Sequence, residues 1–244
     1  FAAVMLLLPA LPVPDFWITQ SIYIGLYAIV SLGLVLLTGV AGLTSFGQAA
    51  FVGLGAYTAA FLAVKLGVSP WLTLLLGVGL AVAAALLLGA ITLRMSGHYL
   101  PLATIAWGLA LNYTMANMDW LGKYDGILGV PPITVAGFSL GSGRGIYVLI
   151  WIFALGAALA VTHLLDSRPG RAIRSLKTGT TMAEAMGVST FRYKVIIFVV
   201  AAVLAAMSGW LFAHFQRTVN PSPFGLHKGI EYLFIAVIGG VGHV

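Results

Sequence analysis

The chain has 244 residues, of which 61% are hydrophobic and only 7% are charged. Soluble domains carry roughly a quarter charged residues, so these values exclude a water-facing surface for most of the chain and predict that its solvent is lipid. The net charge of +6 does not indicate a nucleic-acid partner, because cytoplasmic loops of membrane proteins collect Lys and Arg. The absence of cysteine excludes disulfides, thiolate metal sites and cysteine catalysis.

Stretches without Asp, Glu, Lys or Arg predict the membrane spans, because a spanning helix needs about 20 apolar residues. Residues 16–64 are long enough for two spans and a turn. One span each is predicted in 66–93, 95–118, 145–165 and 195–216, and partial spans are predicted at the two ends, 1–14 and 232–244. Their hydrophobicity is continuous and does not alternate, so helices are predicted. The predicted fold is an all-α polytopic transmembrane bundle with about eight spans, forming one domain over 1–244.

Both ends of the chain have the composition of cut membrane helices. Residues 1–14 are apolar and lack a positively charged start, which favours a truncated membrane helix over a signal peptide. The last residues, 239–244, lie in an apolar run that we expect to continue beyond them.

The segment Thr38–Gln48 separates the two spans predicted within 16–64. It contains residues that weaken a helix or carry polar side chains: Gly39, Gly42, Ser45, Gly47 and Gln48. Two interpretations are open. The segment is either a plain loop at the membrane surface or an unwound stretch that dips into the bilayer, which is tolerated only where it lines a cavity.

Three polar connections lie between the later spans. Asp119–Arg144 is rich in Gly and Pro and carries mixed charges, Arg217–Lys228 is a shorter loop, and Leu164–Lys194 holds six of the twelve basic residues. If Leu164–Lys194 and Arg94 lie on the same side of the membrane, that side carries seven basic residues and the other side carries five. The positive-inside rule then makes 164–194 cytoplasmic and 119–144 extracytoplasmic.

The basic cluster in 164–194 has two interpretations. It is either a topology signal alone or part of a segment that docks on another protein. A short Ala-rich helix predicted over Thr181–Met186, ending at Gly187, favours docking, because a loop that only marks topology would not need it.

Small residues recur every four positions on two of the predicted spans. One series is Ala201, Ala205, Gly209 and Ala213, and the other is Gly55, Ala59 and Ala63. Such stripes predict close approach of helix backbones within the membrane.

The sequence contains no enzyme motif. A phosphate-binding GxxxxGK[ST] loop and an HExxH pair are absent, so no catalytic residue, metal site or cofactor is predicted. Glu231 is the one carboxylate near a span with a functional interpretation. It either pairs with Lys228 at the membrane interface or takes part in the translocation path or in anchoring the neighbouring loop.

Three segments of the chain resemble the membrane permease subunits of bacterial ABC importers for branched-chain amino acids, the LivH/LivM family, and its LivM type most closely. Leu32–Ala60 is similar to the family signature GxxGxxSxGxxxFxxxGAY, Arg171–Lys194 looks like its cytoplasmic coupling segment, and Pro221–Gly242 resembles its "IE…GGxG" run. The first likeness rests on Gly39, Gly42, Ser45, Gly47, Phe51, Gly55, Ala56 and Tyr57.

The resemblance implies a permease subunit in the bacterial inner (plasma) membrane, working with separate cytoplasmic ABC ATPases that hold the ATP. It also implies an extracytoplasmic substrate-binding protein and a second permease, either LivH-like or a second copy. The chain itself would bind no cofactor. The implied ATPase-coupling residues are Arg171, Arg174, Thr181, Ala183, Glu184, Ala185, Gly187 and Val188. The candidates for the translocation path are Gly39, Gly42, Ser45, Gly47, Gln48 and Glu231.

Other functions stay open at this stage. Related permeases of the superfamily carry sugars, nucleosides, urea or short amides. A secondary transporter without an ATPase would need a charged coupling site within its spans, and only Glu231 qualifies. A membrane-embedded enzyme would need paired carboxylates or histidines at one depth, which the sequence lacks. The sequence also does not exclude a structural membrane protein without transport activity.

Overall fold

The structure is a computed structural model, and it describes Met5, Pro9 and residues 13–95, 99–135 and 137–240. The partial span predicted at 1–14 therefore lies almost wholly outside the described residues, as does the end of the last one. The α-helices within them are α1 (Asp15–Leu34), α2 (Gln48–Lys65), α3 (Pro70–Thr92), α4 (Tyr99–Asn117), α5 (Gly143–Asp166), α6 (Arg168–Thr178), α7 (Thr180–Ala185), α8 (Thr190–Gln216) and α9 (Leu226–Ile238). The strands are β1 (Ile127–Leu128), β2 (Thr134–Val135), β3 (Phe138–Ser139) and β4 (Thr218–Val219).

Five helices in the described part of the chain are long and apolar enough to cross a membrane: Asp15–Val40, Gln48–Lys65, Pro70–Thr92, Gly143–Asp166 and Thr190–Gln216. The first is α1 extended by a π-helical segment, Val35–Val40. The prediction of an all-α polytopic bundle is confirmed. Five of the eight predicted spans meet the requirements of length and composition.

Helices α4 and α9 occupy two further predicted spans but differ from the five. Helix α4 carries Asn112, Tyr113 and Thr114, which make it less apolar. Helix α9 has 13 residues, about 20 Å of helix, against the ~30 Å thickness of the hydrocarbon layer. It therefore does not cross the bilayer alone.

The connections gather at the two ends of the bundle as the charge pattern predicts. At one end the Arg94 guanidinium lies over the ring of Phe191, 5.6 Å from its centre, beside α6 and α7. At the other end β1 pairs with β4 in antiparallel fashion, joining the 119–144 loop to the loop after α8. The indole N–H of Trp71 also donates to the Thr134 carbonyl at 3.0 Å.

Helix α8 is the central element of the bundle. It has 27 residues and packs against α1, α2 and α3. A β-carbon on Gly209 would collide with the carbonyl oxygen of Val52, and one on Gly55 would collide with the carbonyl oxygen of Ala206. One glycine of each predicted stripe therefore lies in the close α2–α8 contact, whereas Ala201 of the first stripe lies against Gly33 of α1. Their predicted packing role is confirmed.

Candidate functional site

The connection between α1 and α2 is an unwound segment rather than a tight turn. The π-helical segment ends at Val40, residues 41–46 form no regular structure, and α2 begins at Gln48. Gly42 adopts a φ of +70°, which suits glycine, and the Thr38 hydroxyl donates to the Leu43 carbonyl at 3.3 Å. Glycine and threonine at these positions thus end one helix before the next begins.

This unwound segment runs from the end of the bundle at Gly42 into its interior at Gly47. The Phe46 N–H donates to the hydroxyl of Thr104 at 3.1 Å, and Thr104 is fully buried. Gly47 packs against the ring of Trp107, where any β-carbon would collide. Thr104 and Trp107 belong to the interior of α4 rather than to its ends, so α2 begins within the membrane-embedded part of the protein. The buried residues up to Gln48 favour the re-entrant interpretation over a plain surface loop, and the role of the segment in the path stays a prediction.

Two polar side chains of the segment have no partner among the described residues. Ser45 and Gln48 are both buried, and neither the Ser45 hydroxyl nor the Gln48 amide makes a hydrogen bond. Buried polar groups are normally paired, so unpaired ones indicate a functional constraint or a bound partner. Gly39 and Gly47 are buried as well, whereas Gly42 is exposed at the end of the bundle next to Lys177.

Helix α9 also begins inside the bundle. After β4 the chain turns inward, and the side-chain amide of Asn112 donates to the Pro221 carbonyl at 3.0 Å. Phe224 is buried against Gly53, the sixth of the 18 residues of α2, and α9 starts two residues later. Gly229 then lies directly against the backbone of Phe46. Two helices thus start at similar depth, each after a Phe-Gly pair, Phe46-Gly47 and Phe224-Gly225.

Glu231 makes the predicted ion pair, at a depth that the sequence did not indicate. The Lys228 ammonium lies 2.5 Å from the Glu231 carboxylate and 5.4 Å from the ring centre of Tyr27. Tyr27 lies near the middle of the span Asp15–Val40. The predicted pairing is confirmed, and the pair lies beside Tyr27 rather than at an end of the span Asp15–Val40.

The predicted cytoplasmic segment is mostly helical. Helix α6 buries Ile173 and Leu176 against the bundle and exposes the basic side chains Arg171, Arg174 and Lys177. The Ser167 hydroxyl caps its first turn by accepting from the Gly170 N–H. Arg174 reaches Asp166 at 3.9 Å, but both are well exposed, so this pair adds little stability.

Helix α7 confirms the short helix predicted over Thr181–Met186. It ends where Gly187 adopts a φ of +80°. Thr181 and Ala185 are exposed and Val188 is half-buried, whereas Ala183 is buried and cannot offer its methyl group to a partner. The Thr190 hydroxyl, in the first turn of α8, donates to the Glu184 carboxylate at 2.5 Å. Glu184 therefore joins α7 to α8.

Sequence reasoning missed Met182 and Met186. Met182 lies on α7 and Met186 directly follows its last residue. They are four residues apart, and their side chains are 72% and 80% exposed. Flexible thioether side chains adapt well to a partner surface. The signal was available, because two Met residues with helical spacing stand out in a polar, basic stretch.

The predicted residues form two groups. The coupling residues gather on α6 and α7, and the path candidates 39–48 follow the unwound segment. Gly42 of the path candidates approaches α6 at Lys177, which was not among the predicted coupling residues, with 3.9 Å from a β-carbon at Gly42 to the Lys177 side chain. Glu231 stands apart on α9. Among the residues that the structure describes, no cluster of His, Asp and Glu has the composition of a metal site.

Comparison with known proteins identifies the relatives of this chain. The family model described as "Branched-chain amino acid transport system / permease component" matches residues 17–244. The chain is 29% identical over 241 residues to the high-affinity branched-chain amino acid transport system permease protein LivM of Escherichia coli (strain K12), covering 89% of this chain and 57% of that protein. LivM of Salmonella typhimurium gives the same values.

A shorter match connects the chain to a second permease type. It is 36% identical over 97 residues to the permease protein LivH of Escherichia coli (strain K12), covering 39% of this chain and 31% of that protein. No solved structure matches the chain. The chain spans little more than half the length of the LivM proteins that it matches. The family match covers nearly the whole of it, however, and the chain is a multi-pass membrane protein that belongs to the branched-chain amino acid transport permease family.

Proposed function

We propose that this chain is the membrane-spanning permease subunit of an ABC importer that takes up branched-chain or other small apolar amino acids across the bacterial inner membrane. The family match and the LivM relatives support the substrate class. The observation that carries the importer mechanism is helix α7, exposed at one end of the bundle with two outward Met side chains and tied by Glu184 to the first turn of α8.

In this proposal α7 docks on a cytoplasmic ATPase subunit, where the ATP is held and hydrolysed. Movement of the ATPase displaces α7, and the Glu184–Thr190 hydrogen bond passes that displacement to α8. Because α8 packs against α1, α2 and α3, its movement reaches the core of the bundle. The chain then needs no catalytic residue of its own. A second permease, LivH-like or a second copy, and an extracytoplasmic binding protein complete the importer.

The test is uptake and co-purification with the proteins encoded by neighbouring genes. We expect leucine uptake that depends on the ATPase, and tagged permease that retains a P-loop ATPase. A variant of the ATPase that cannot hydrolyse ATP is the control and should abolish uptake. Leucine uptake without any ATPase would instead identify a secondary transporter. Competition by urea or a sugar, but not by leucine, would identify another substrate of the superfamily.

A further inference from the structure

The ion pair on α9 belongs to a cluster of polar and aromatic side chains on one outer face of the described bundle. Lys228 lies over the ring of Tyr27, and Tyr27 contacts Tyr232 edge-on with ring centres 5.3 Å apart. One turn along α1, the hydroxyl of Tyr23 accepts a hydrogen bond from the side-chain amide of Gln216. The cluster thus combines a cation, an anion and an aromatic face within a few ångströms.

This face is unsuited to lipid contact. The side chains of Lys228 and Glu231 are 31% and 53% exposed, although their neighbour Tyr27 lies near the middle of a membrane span. A charged side chain at the bilayer centre costs about 3 kcal/mol on insertion scales, so intramembrane ion pairs face water, a ligand or a protein. The face formed by Tyr27, Lys228 and Glu231 therefore borders a polar space.

An apolar groove lies on the same two helices, α1 and α9, and is lined by residues that follow Tyr27 and Glu231 in sequence. It has a volume of about 330 Å³ and lies between α1, α5 and α9. Its lining includes Ala28, which follows Tyr27 in sequence, and Ile235, one helical turn after Glu231. Ala154 and Ala158 line it from α5. Ser31 lines the groove, and its buried hydroxyl has no hydrogen-bond partner in the described chain.

We propose that Lys228, Glu231 and Tyr27 form a binding site for the zwitterionic end of an amino acid, and that the α1–α5–α9 groove receives its apolar side chain. The substrate carboxylate pairs with the Lys228 ammonium. The substrate ammonium pairs with the Glu231 carboxylate and the face of Tyr27, as cations do over aromatic rings. Binding leaves the net charge of the site unchanged, because the zwitterion and the Lys228–Glu231 pair are each neutral overall. Two ion pairs with the substrate replace the ion pair between Lys228 and Glu231.

The geometry also matches the length of such a ligand. Ile235, a lining residue of the groove, follows Glu231 by about one helical turn, or about 5.4 Å along the axis of α9, a spacing on the scale of one amino acid. The site deepens the proposed function and rests on it, because it places the substrate of the importer at named residues. It requires that the face around α9 belong to the translocation path.

Cysteine labelling in the assembled importer tests whether water reaches this face. The chain has no native cysteine, so single substitutions need no altered background. We expect Ile235→Cys to react with a membrane-impermeant, charged thiol reagent, and saturating leucine to slow that reaction. Leu80→Cys, exposed half-way along α3, is the matched control and should not react. An unreactive Ile235→Cys, or a reaction that leucine leaves unchanged, would overturn the site.

Uptake by charge variants tests the recognition itself. We expect Lys228→Met/Glu231→Gln to assemble normally, because the pair is removed as a unit, and to lower leucine uptake at least about tenfold. Tyr27→Phe should retain uptake and Tyr27→Leu should not. The exposed Asp119–Lys123 pair supplies the control, and Asp119→Asn/Lys123→Met should leave uptake unchanged. Wild-type uptake in Lys228→Met/Glu231→Gln contradicts the site alone, whereas a wild-type importer that does not take up leucine contradicts the proposed function.

Discussion

The carboxylate of Glu184 and the hydroxyl of Thr190 are joined by a 2.5 Å hydrogen bond across the turn between α7 and α8. Thr190 is buried and is the first residue of α8, whose N-terminal dipole favours a nearby carboxylate. The same turn is closed by the Val188 N–H, which donates to the Ala183 carbonyl at 3.0 Å. Two hydrogen bonds thus join α7 to the turn and to the start of α8, and one of them uses the Glu184 carboxylate.

Removing this link should uncouple ATP hydrolysis from transport. We expect Glu184→Ala to retain the ATPase on co-purification but to lower the leucine imported per ATP hydrolysed several-fold, because a hydrogen bond to a charged group is worth about 1.5–3 kcal/mol. Glu184→Gln keeps a hydrogen-bond acceptor and Thr190→Ser keeps a donor, so both should lower the leucine imported per ATP less than Glu184→Ala does. The ratio is measured in proteoliposomes. A wild-type ratio in Glu184→Ala would show that α7 transmits its movement by another route.

The exposed methionines of α7 should account for much of the contact with the ATPase. We expect Met182→Ser/Met186→Ser to weaken association about tenfold or more, since side chains that fill a partner's pocket commonly contribute over 1 kcal/mol each. Met95→Ser is the control, because Met95 is 45% exposed at the same end of the bundle but lies outside α7. The measurement is the fraction of ATPase retained by equal amounts of permease. Equal loss in both variants would argue against a specific α7 interface.

The close approach of α2 and α8 should tolerate no added methyl group. We expect Gly209→Ala to destabilise the bundle by about 1–3 kcal/mol or more, because the new β-carbon would meet the backbone of Val52. Gly156→Ala on α5 is the matched control, since no atom lies near its β-carbon position. Thermal unfolding in detergent, followed by size-exclusion chromatography, measures both. A Gly209→Ala variant as stable as Gly156→Ala would contradict this packing.

The orientation of the bundle can be tested at two exposed lysines. The charge distribution places Lys177 on α6 in the cytoplasm and Lys123 in the 119–144 loop outside it. In intact spheroplasts we expect an impermeant thiol reagent to label Lys123→Cys and to label Lys177→Cys only after lysis. Because the native chain has no cysteine, unsubstituted protein is the blank. Labelling of Lys177→Cys in intact spheroplasts would invert the topology.

The spans and the short helix α7 were predictable, because segments in lipid are apolar and segments in water are polar. The positions of charge-free runs therefore located α1, α2, α3, α5 and α8. Small residues at four-residue spacing predicted close packing of α2 and of α8, although not that these two helices contact each other. In each case the signal is local in sequence and needs no knowledge of neighbours.

Depth within the membrane was not predictable in the same way. The residues around Pro221 indicate a turn, but only the packing of Phe224 against Gly53 shows that the turn lies inside the bundle. The depth of the Lys228–Glu231 pair depends on that turn, which is why an interfacial position was expected. Ala183 was assigned to the partner surface, although the direction of its side chain is set by how α7 packs on α8.

The placement of α8 also has a consequence for synthesis in the cell. Val52 and Gly209 are far apart in sequence, and at 5–20 residues per second α2 leaves the ribosome roughly 8–30 s before the part of α8 that covers it. Until then α2 and its Gln48 lie in the membrane without the contact that α8 provides. Substitutions in the second half of α8 should therefore reduce how much permease survives quality control, before any effect on its turnover can be measured.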